Sequence, residues 1–412
     1  MRRARLVAVV AITALVLVAC HPGDVDASFG TNGVVTFDAS FAIGRPIAVP
    51  DGRIVVPGTR LSSPEPAHIS LRRLNANGTP DPGFGNNGVV DTFVGHASRA
   101  EVVVRQPDDK LVVAGFADVA PGFAVPRELA LVRYLPNGTL DSGFGDGGVV
   151  VSALGGHHSV AAVALQPDGK IVAVSDATPD PLVVRFNPDG SGDTTFGWGG
   201  IVGIGDHFGD SARPHVVVQA DGKLVLGASG PRRNDNVGDA VFQVARLTPA
   251  GSRDATFGDN GMVTTDFGFG TDRQSWLRGL VLRPGGKLLA AGSTQDPDGR
   301  ELFALARYNP DGALDSSFGT GGRVTRAMPS TNPFTVRAFT TQPQGAVALG
   351  GIDGSRGVLA RFGPGGGFDT SFGSGGIATT TAIRGVDVLT SQSNGALLAG
   401  TRDDGRLARF LG

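Results

Sequence analysis

Basic side chains recur along this chain at places where they could act together. Arg45, Arg99, His158, Arg213, His215, Arg278, Arg337 and Arg384 each fall near the start of a short apolar run. Guanidinium and imidazolium groups gathered from several such runs would form an anion site, suited to a phosphate or an acidic sugar. Trp276 sits beside Arg278 and could stack on a sugar or cover the edge of a sheet. The offsets from these residues to the turn that follows differ along the chain, so spacing alone does not make them converge. Solvated loop arginines are the plainer alternative.

Other chemistry is thinly represented. His157, His158, His207 and His215 could ligate a metal, but no acidic partner is set by spacing. Asp206, Asp210, Asp235, Asp239 and Asp272 are too scattered to assign as an acid/base pair. Gly83 to Gly88 and Gly143 to Gly148 match G-x-G-x-x-G, but both lead into strands, whereas dinucleotide binding needs a helix there. There is no G-x-S-x-G, no H-E-x-x-H and no D-x-D-x-D-G loop. Sequence therefore assigns no catalytic residue, no metal and no cofactor. Net charge is -2 over 412 residues, which gives no reason to expect nucleic acid as a partner.

The elements that must position these groups are repeats. Asp-x-x-Phe-Gly begins at Asp26, Asp81, Asp141, Asp193, Asp254, Asp315 and Asp369, with spacings of 55, 60, 52, 61, 61 and 54 residues. Arg73, Arg133, Arg185, Arg246, Arg307 and Arg361 each stand eight residues before an Asp, and Arg409 occupies the same place near the chain end. A fixed offset between opposite charges, kept while other spacings drift, predicts a pair that bridges one turn. Because it occurs in every copy, it reads as architecture. The four lysines, Lys110, Lys170, Lys223 and Lys287, share one repeat position.

Each unit holds four apolar runs of four to seven residues bounded by Gly, Pro or Asp, as in Met262–Thr265, Leu280–Leu282, Lys287–Gly292 and Phe303–Tyr308. That is the pattern of strands joined by hairpins. Several runs are apolar at successive positions, so both sheet faces must be covered. Seven four-stranded units predict an all-β, seven-bladed β-propeller. Phe29, Phe84, Phe144, Phe196, Phe257, Phe318 and Phe372 would wedge between blades. The first unit opens with only a last strand, Val34 to Phe37, and the final unit provides the other three, so the termini should close the ring and remove its free edge.

Gln-Pro-Asp-Gly-Lys, then Ala-Arg-Tyr-Asn-Pro-Asp-Gly, then Asp-x-x-Phe-Gly resembles the delta-60 repeat family of bacterial surface proteins and, more loosely, the NHL-type propeller repeat. The resemblance covers roughly residues 26 to 412. Pro284-Gly285-Gly286-Lys287, Pro343-Gln344-Gly345, Ser393-Asn394-Gly395 and Asp108-Asp109 depart from the pattern and put those individual turns in question. The resemblance implies architecture and surface location, and no activity.

At the N-terminus, Arg2, Arg3 and Arg5 precede an apolar run from Leu6 to Ala19, too short to span a bilayer comfortably. It ends in Leu17-Val18-Ala19-Cys20, which resembles the lipobox of bacterial lipoproteins, and Cys20 is the only cysteine. The resemblance implies a signal peptide over 1–19, lipid on Cys20, a short tether over 20–25 and one propeller over 26–412. The protein would then be a monomer held on the membrane in the extracytoplasmic part of a bacterial cell envelope.

Strands are lettered A (ending at Gln-Pro), B, C (ending at the motif Arg) and D. The A–B and C–D turns share one face and are nearly constant. The B–C and D–A loops share the other and vary, which marks it as the binding face. The expectation is a non-catalytic module binding a glycan, an anion or a protein there. The alternatives are a lyase, hydrolase or lactonase at the mouth of the central channel, and a scaffold for envelope assembly.

Overall fold

The computed structural model describes residues 21–412 apart from 62–63, 123–124, 177–180, 205–207, 209–213, 232–239, 270–273, 331 and 403. Cys20 and Arg213 lie outside the described residues.

Seven antiparallel sheets follow one another around a ring. Blade 2 shows the plan, with strands Ala97–Arg105, Leu111–Asp118, Arg127–Tyr134 and Val149–Val151 in simple up-and-down order. Strands B and C are apolar at nearly every position because both of their faces are covered by neighbouring blades, as in Ile171–Ser175, where all five residues are buried. Blade 1 differs in its innermost strand, which is broken into Phe41–Ile43 and Ile47–Ala48 around Arg45.

The termini close the ring within one blade. Val34–Thr36 pairs with Arg406–Phe410, in the register Val34 with Ala408 and Thr36 with Arg406, beside Leu397–Thr401 and Val388–Ser391. The N-terminal segment is bonded to the chain end from its first described residues. Gly23 N donates to Leu411 O at 2.8 Å, Leu411 N to Asp24 O at 2.9 Å and Asp26 N to Arg409 O at 2.8 Å, while Val25 bridges Phe410. Residues 21–25, read from sequence as a tether, thus occupy the place of the last blade's C–D turn.

Each motif makes one staple. The Arg Nε lies 2.6–2.9 Å from its Asp Oδ2 in all seven pairs, including Arg409 with Asp26. The guanidinium stacks 4.4–4.7 Å above the motif Phe. In six of the seven, Arg361 excepted, the far nitrogen then donates to a carbonyl in the next blade's C–D turn, as Arg185 does to Pro249 O at 2.5 Å and Arg246 to Pro310 O at 2.6 Å. The seven phenylalanines are buried, each contributing on the order of 2 kcal/mol by removal from water.

The turns that depart from the repeat still turn. Pro284–Gly286 and Pro343–Gly345 each form a single 3-10 turn, with Gly285 at φ 74° and Gln344 at φ 61°.

Candidate functional site at the channel mouth

Strand A lines the central channel, and in four blades it carries an irregularity at the same place. The pairing with strand B shifts register between Ala100 and Val102, Val160 and Ala162, Leu277 and Gly279, and Val336 and Ala338. The extra residues are Glu101, Ala161, Arg278 and Arg337. A bulge re-aims the side chain it carries, and here three of the four side chains are charged. In three of the four the partner strand accommodates the bulge with glycine, the exception being Ser175 opposite Val160. A Cβ on Gly115 would lie 1.8 Å from Arg99 O, one on Gly292 1.9 Å from Trp276 O, and one on Gly351 2.0 Å from Thr335 O.

These residues face a cavity of 550 Å³ whose wall includes Arg45, Glu101, Arg127, His157, Asp176, His215, Arg278, Arg337, Asp387 and Arg402. Because strand A starts on the face of the B–C and D–A loops, the cavity opens on the variable face. Four of the sequence candidates, Arg45, His215, Arg278 and Arg337, therefore come together. Others do not join them. Arg99 and Arg384 are exposed, Trp276 is half-buried, and none of the three is in the cavity wall. His158 is buried, its Nε2 3.0 Å from Gly155 O, and is likewise absent from the wall.

The wall is of mixed sign, which the basic ring read from sequence did not include. Arg402 NH1 lies 2.7 Å from Glu101 Oε2, joining the last blade to the second across the mouth. Arg337 NH1 lies 3.0 Å from Asp387 Oδ1. Arg278 Nε donates to Val336 O at 3.0 Å. Arg127 stacks 4.9 Å above Phe116 and lies 3.6 Å from Asp118. Just behind, burial pushes the Glu301 carboxyl above its ordinary value, against the hydrogen bond from the Val336 N–H and the nearby Arg278 charge. Five arginines still outnumber the three carboxylates of the wall. Among the described residues no group of three His, Cys, Asp or Glu side chains is placed to hold a metal.

Glu101, Asp387 and Arg402 were missed from sequence, although a trace of the first two was visible. Glu101, Arg278, Arg337 and Asp387 each stand five residues before the first residue of the A–B turn, Gln106, Arg283, Gln342 and Gln392. Glu101, Arg278 and Arg337 lie inside strand A, and Asp387 directly precedes Val388–Ser391.

A family model described as a domain of unknown function (DUF5122) β-propeller matches residues 50–84, 106–144, 166–196, 219–257 and 284–318. Each match runs from an A–B turn to a motif phenylalanine, which is the interval that contains one staple. The repeats fit a β-propeller repeat family. No curated protein matches the chain. Among solved structures, virginiamycin B lyase from Staphylococcus aureus is 10% identical over 92% of this chain and 98% of that one, with a TM-score of 0.50. The WD40 β-propeller domain of Doa1 is 12% identical over 95% and 96%, with a TM-score of 0.48. The β-propeller domain of the trilobed protease from Pyrococcus furiosus is 10% identical over 90% and 96%, with a TM-score of 0.47. Similarities this distant show the fold alone.

Proposed function

We propose that this propeller is a lipid-anchored, extracytoplasmic binding module, and that its channel mouth takes a small ligand bearing a carboxylate or phosphate. The observation that carries the reading is the cavity of 550 Å³ whose wall joins four bulge-aligned strands and holds five arginines against three carboxylates. A rigid, concave and largely polar site with an excess of guanidinium suits an acidic sugar or a similar small anion. A ligand carboxylate would exchange with Asp387 for Arg337, keeping that charge paired throughout. Cys20 bears the lipid in this reading, which rests on the lipobox-like Leu17-Val18-Ala19-Cys20.

Isothermal titration of the purified protein with glucuronate, inorganic phosphate and neutral glucose tests the site. Saturable binding of an anionic probe, weakened about tenfold or more in Arg278→Ala, is the expected result. Equal binding of glucose and glucuronate, or no change in Arg278→Ala, would overturn it. Metabolic labelling with an alkyne fatty acid tests the anchor, and should label the native chain and not Cys20→Ser.

A further inference from the structure

We propose that the face of constant turns lies flat against the membrane, held at two points, the acylated N-terminus on the closing blade and Trp198 on blade 3. The first point rests on the reading of Cys20 as the lipid-bearing residue. The structure then leaves the lipid little slack. Gly373 N donates to Pro22 O at 2.7 Å, and Gly23 N to Leu411 O at 2.8 Å, so the chain is fixed to the motif of blade 6 and to the chain end from Pro22 onward. Gly23 is in the left-handed region at φ 94°, and a Cβ there would lie 2.7 Å from the Gly373 nitrogen, so this seat has no room to shift. Only His21 separates Cys20 from Pro22, two residue steps with a reach of about 7 Å. The tether expected from sequence over 20–25 is thereby cut to its first residues. The C–D turn where the chain emerges belongs to the constant face, which is thereby brought to the bilayer.

The second point is independent of the anchor. Trp198 is 92% exposed, in the turn between Phe196 and strand D of blade 3, where its backbone N–H donates to Ile201 O at 2.9 Å. The same turn position is Thr31, Asn86, Asp146, Asp259, Thr320 and Ser374 in the other copies, all polar. An indole held rigidly in water buries nothing on folding, whereas the headgroup region of a bilayer accepts both its ring and its N–H. Blade 3 lies three blades round the ring from the closing blade. The two contacts are therefore almost diametrically placed, and a disc held at both cannot swing on one rim. The channel mouth then faces away from the lipid, open to its ligand.

The chain's two tryptophans make the orientation measurable, because Trp276 begins strand A on the opposite face. Acylated protein is reconstituted into phosphatidylcholine vesicles with acyl-brominated phosphatidylcholine as quencher, as Trp276→Phe and as Trp198→Phe. Trp198 emission should shift to the blue and fall by about half, with Trp276 emission unchanged. Equal quenching of both, or quenching of Trp276 alone, would overturn the proposal. Acyl mass on Cys20 is checked separately. Its absence would overturn the anchor reading. Coupling a maleimide phospholipid to Cys20, the chain's only cysteine, would still let the quenching decide which face meets lipid.

Discussion

Each motif aspartate is shared by several donors, as Asp193 shows. One oxygen of Asp193, Oδ2, receives Arg185 Nε at 2.6 Å and Lys170 Nζ at 3.1 Å, while Oδ1 accepts the Thr195 N–H at 3.1 Å and its hydroxyl at 2.7 Å. Burial pushes the carboxyl up, but the hydrogen bonds from Thr195, Lys170 and Arg185 outweigh it and hold Asp193 well below the usual carboxylate range. The repeated lysines are explained here, since Lys110, Lys170, Lys223 and Lys287 all reach a motif aspartate at 2.7–3.2 Å. Blade 6 and the closing blade have Ala346 and Ala396 where the others have a cation, so Asp369 keeps Arg361 as its one cationic partner, with a more exposed side chain. Asp193→Asn should therefore cost about 2 kcal/mol, the loss of charged hydrogen bonds under a covered turn. Asp369→Asn should cost nearer to 1 kcal/mol, because its carboxylate is half-buried and pairs with one cation. Urea unfolding of the two variants checks the ranking, and equal costs would show that the second cation contributes nothing.

At the scale of strands and turns, the informative element is the closing blade. Its strand C and strand D come from opposite ends of the chain, and Arg409 with Asp26 at 2.8 Å is the one staple whose partners lie 383 residues apart. Asp26→Ala should open the ring there first. Amide exchange should accelerate at Val34–Thr36 while the equivalent strand of blade 2 keeps its protection, and the global loss should be on the order of 2 kcal/mol. Uniform acceleration over all blades would instead mean that closure is no weaker than any other blade junction. Strand existence, order and closure were readable from apolar runs and turn residues because both are local. The strand A bulges were not, because a bulge is a mismatch between two strands, and its local trace, a glycine across from it, is shared with ordinary turns.

The whole molecule repeats one acid-sensitive device around a ring. Asp26, Asp81, Asp141, Asp193, Asp254, Asp315 and Asp369 are all held below their ordinary value. A carboxylate with a depressed folded value contributes stability that is fully present above its unfolded value and is lost as pH falls toward the folded one. The melting temperature should thus be flat through neutral pH and fall steeply below roughly pH 4. Asp193→Asn should melt lower at neutral pH and show a shallower acid slope. A melt that declines instead between pH 8 and 6 would place the sensitivity on histidine.

What sequence alone determined was everything that depends on neighbours along the chain. The Asp-x-x-Phe-Gly spacing specified the staple, the apolar runs specified the strands, and the incomplete first and last units specified where the ring closes. The site was different. Arg45, His215, Arg278 and Arg337 converge, Arg99 and Arg384 do not, and Glu101, Asp387 and Arg402 join them, because membership depends on which way a bulge turns a side chain and on which blades meet at the axis. Glu101 and Arg402 are 301 residues apart and touch only after all seven blades have closed. Charge sign at the mouth is thus a property of the assembled ring, whereas each blade's hydrogen bonds are already written in its own residues.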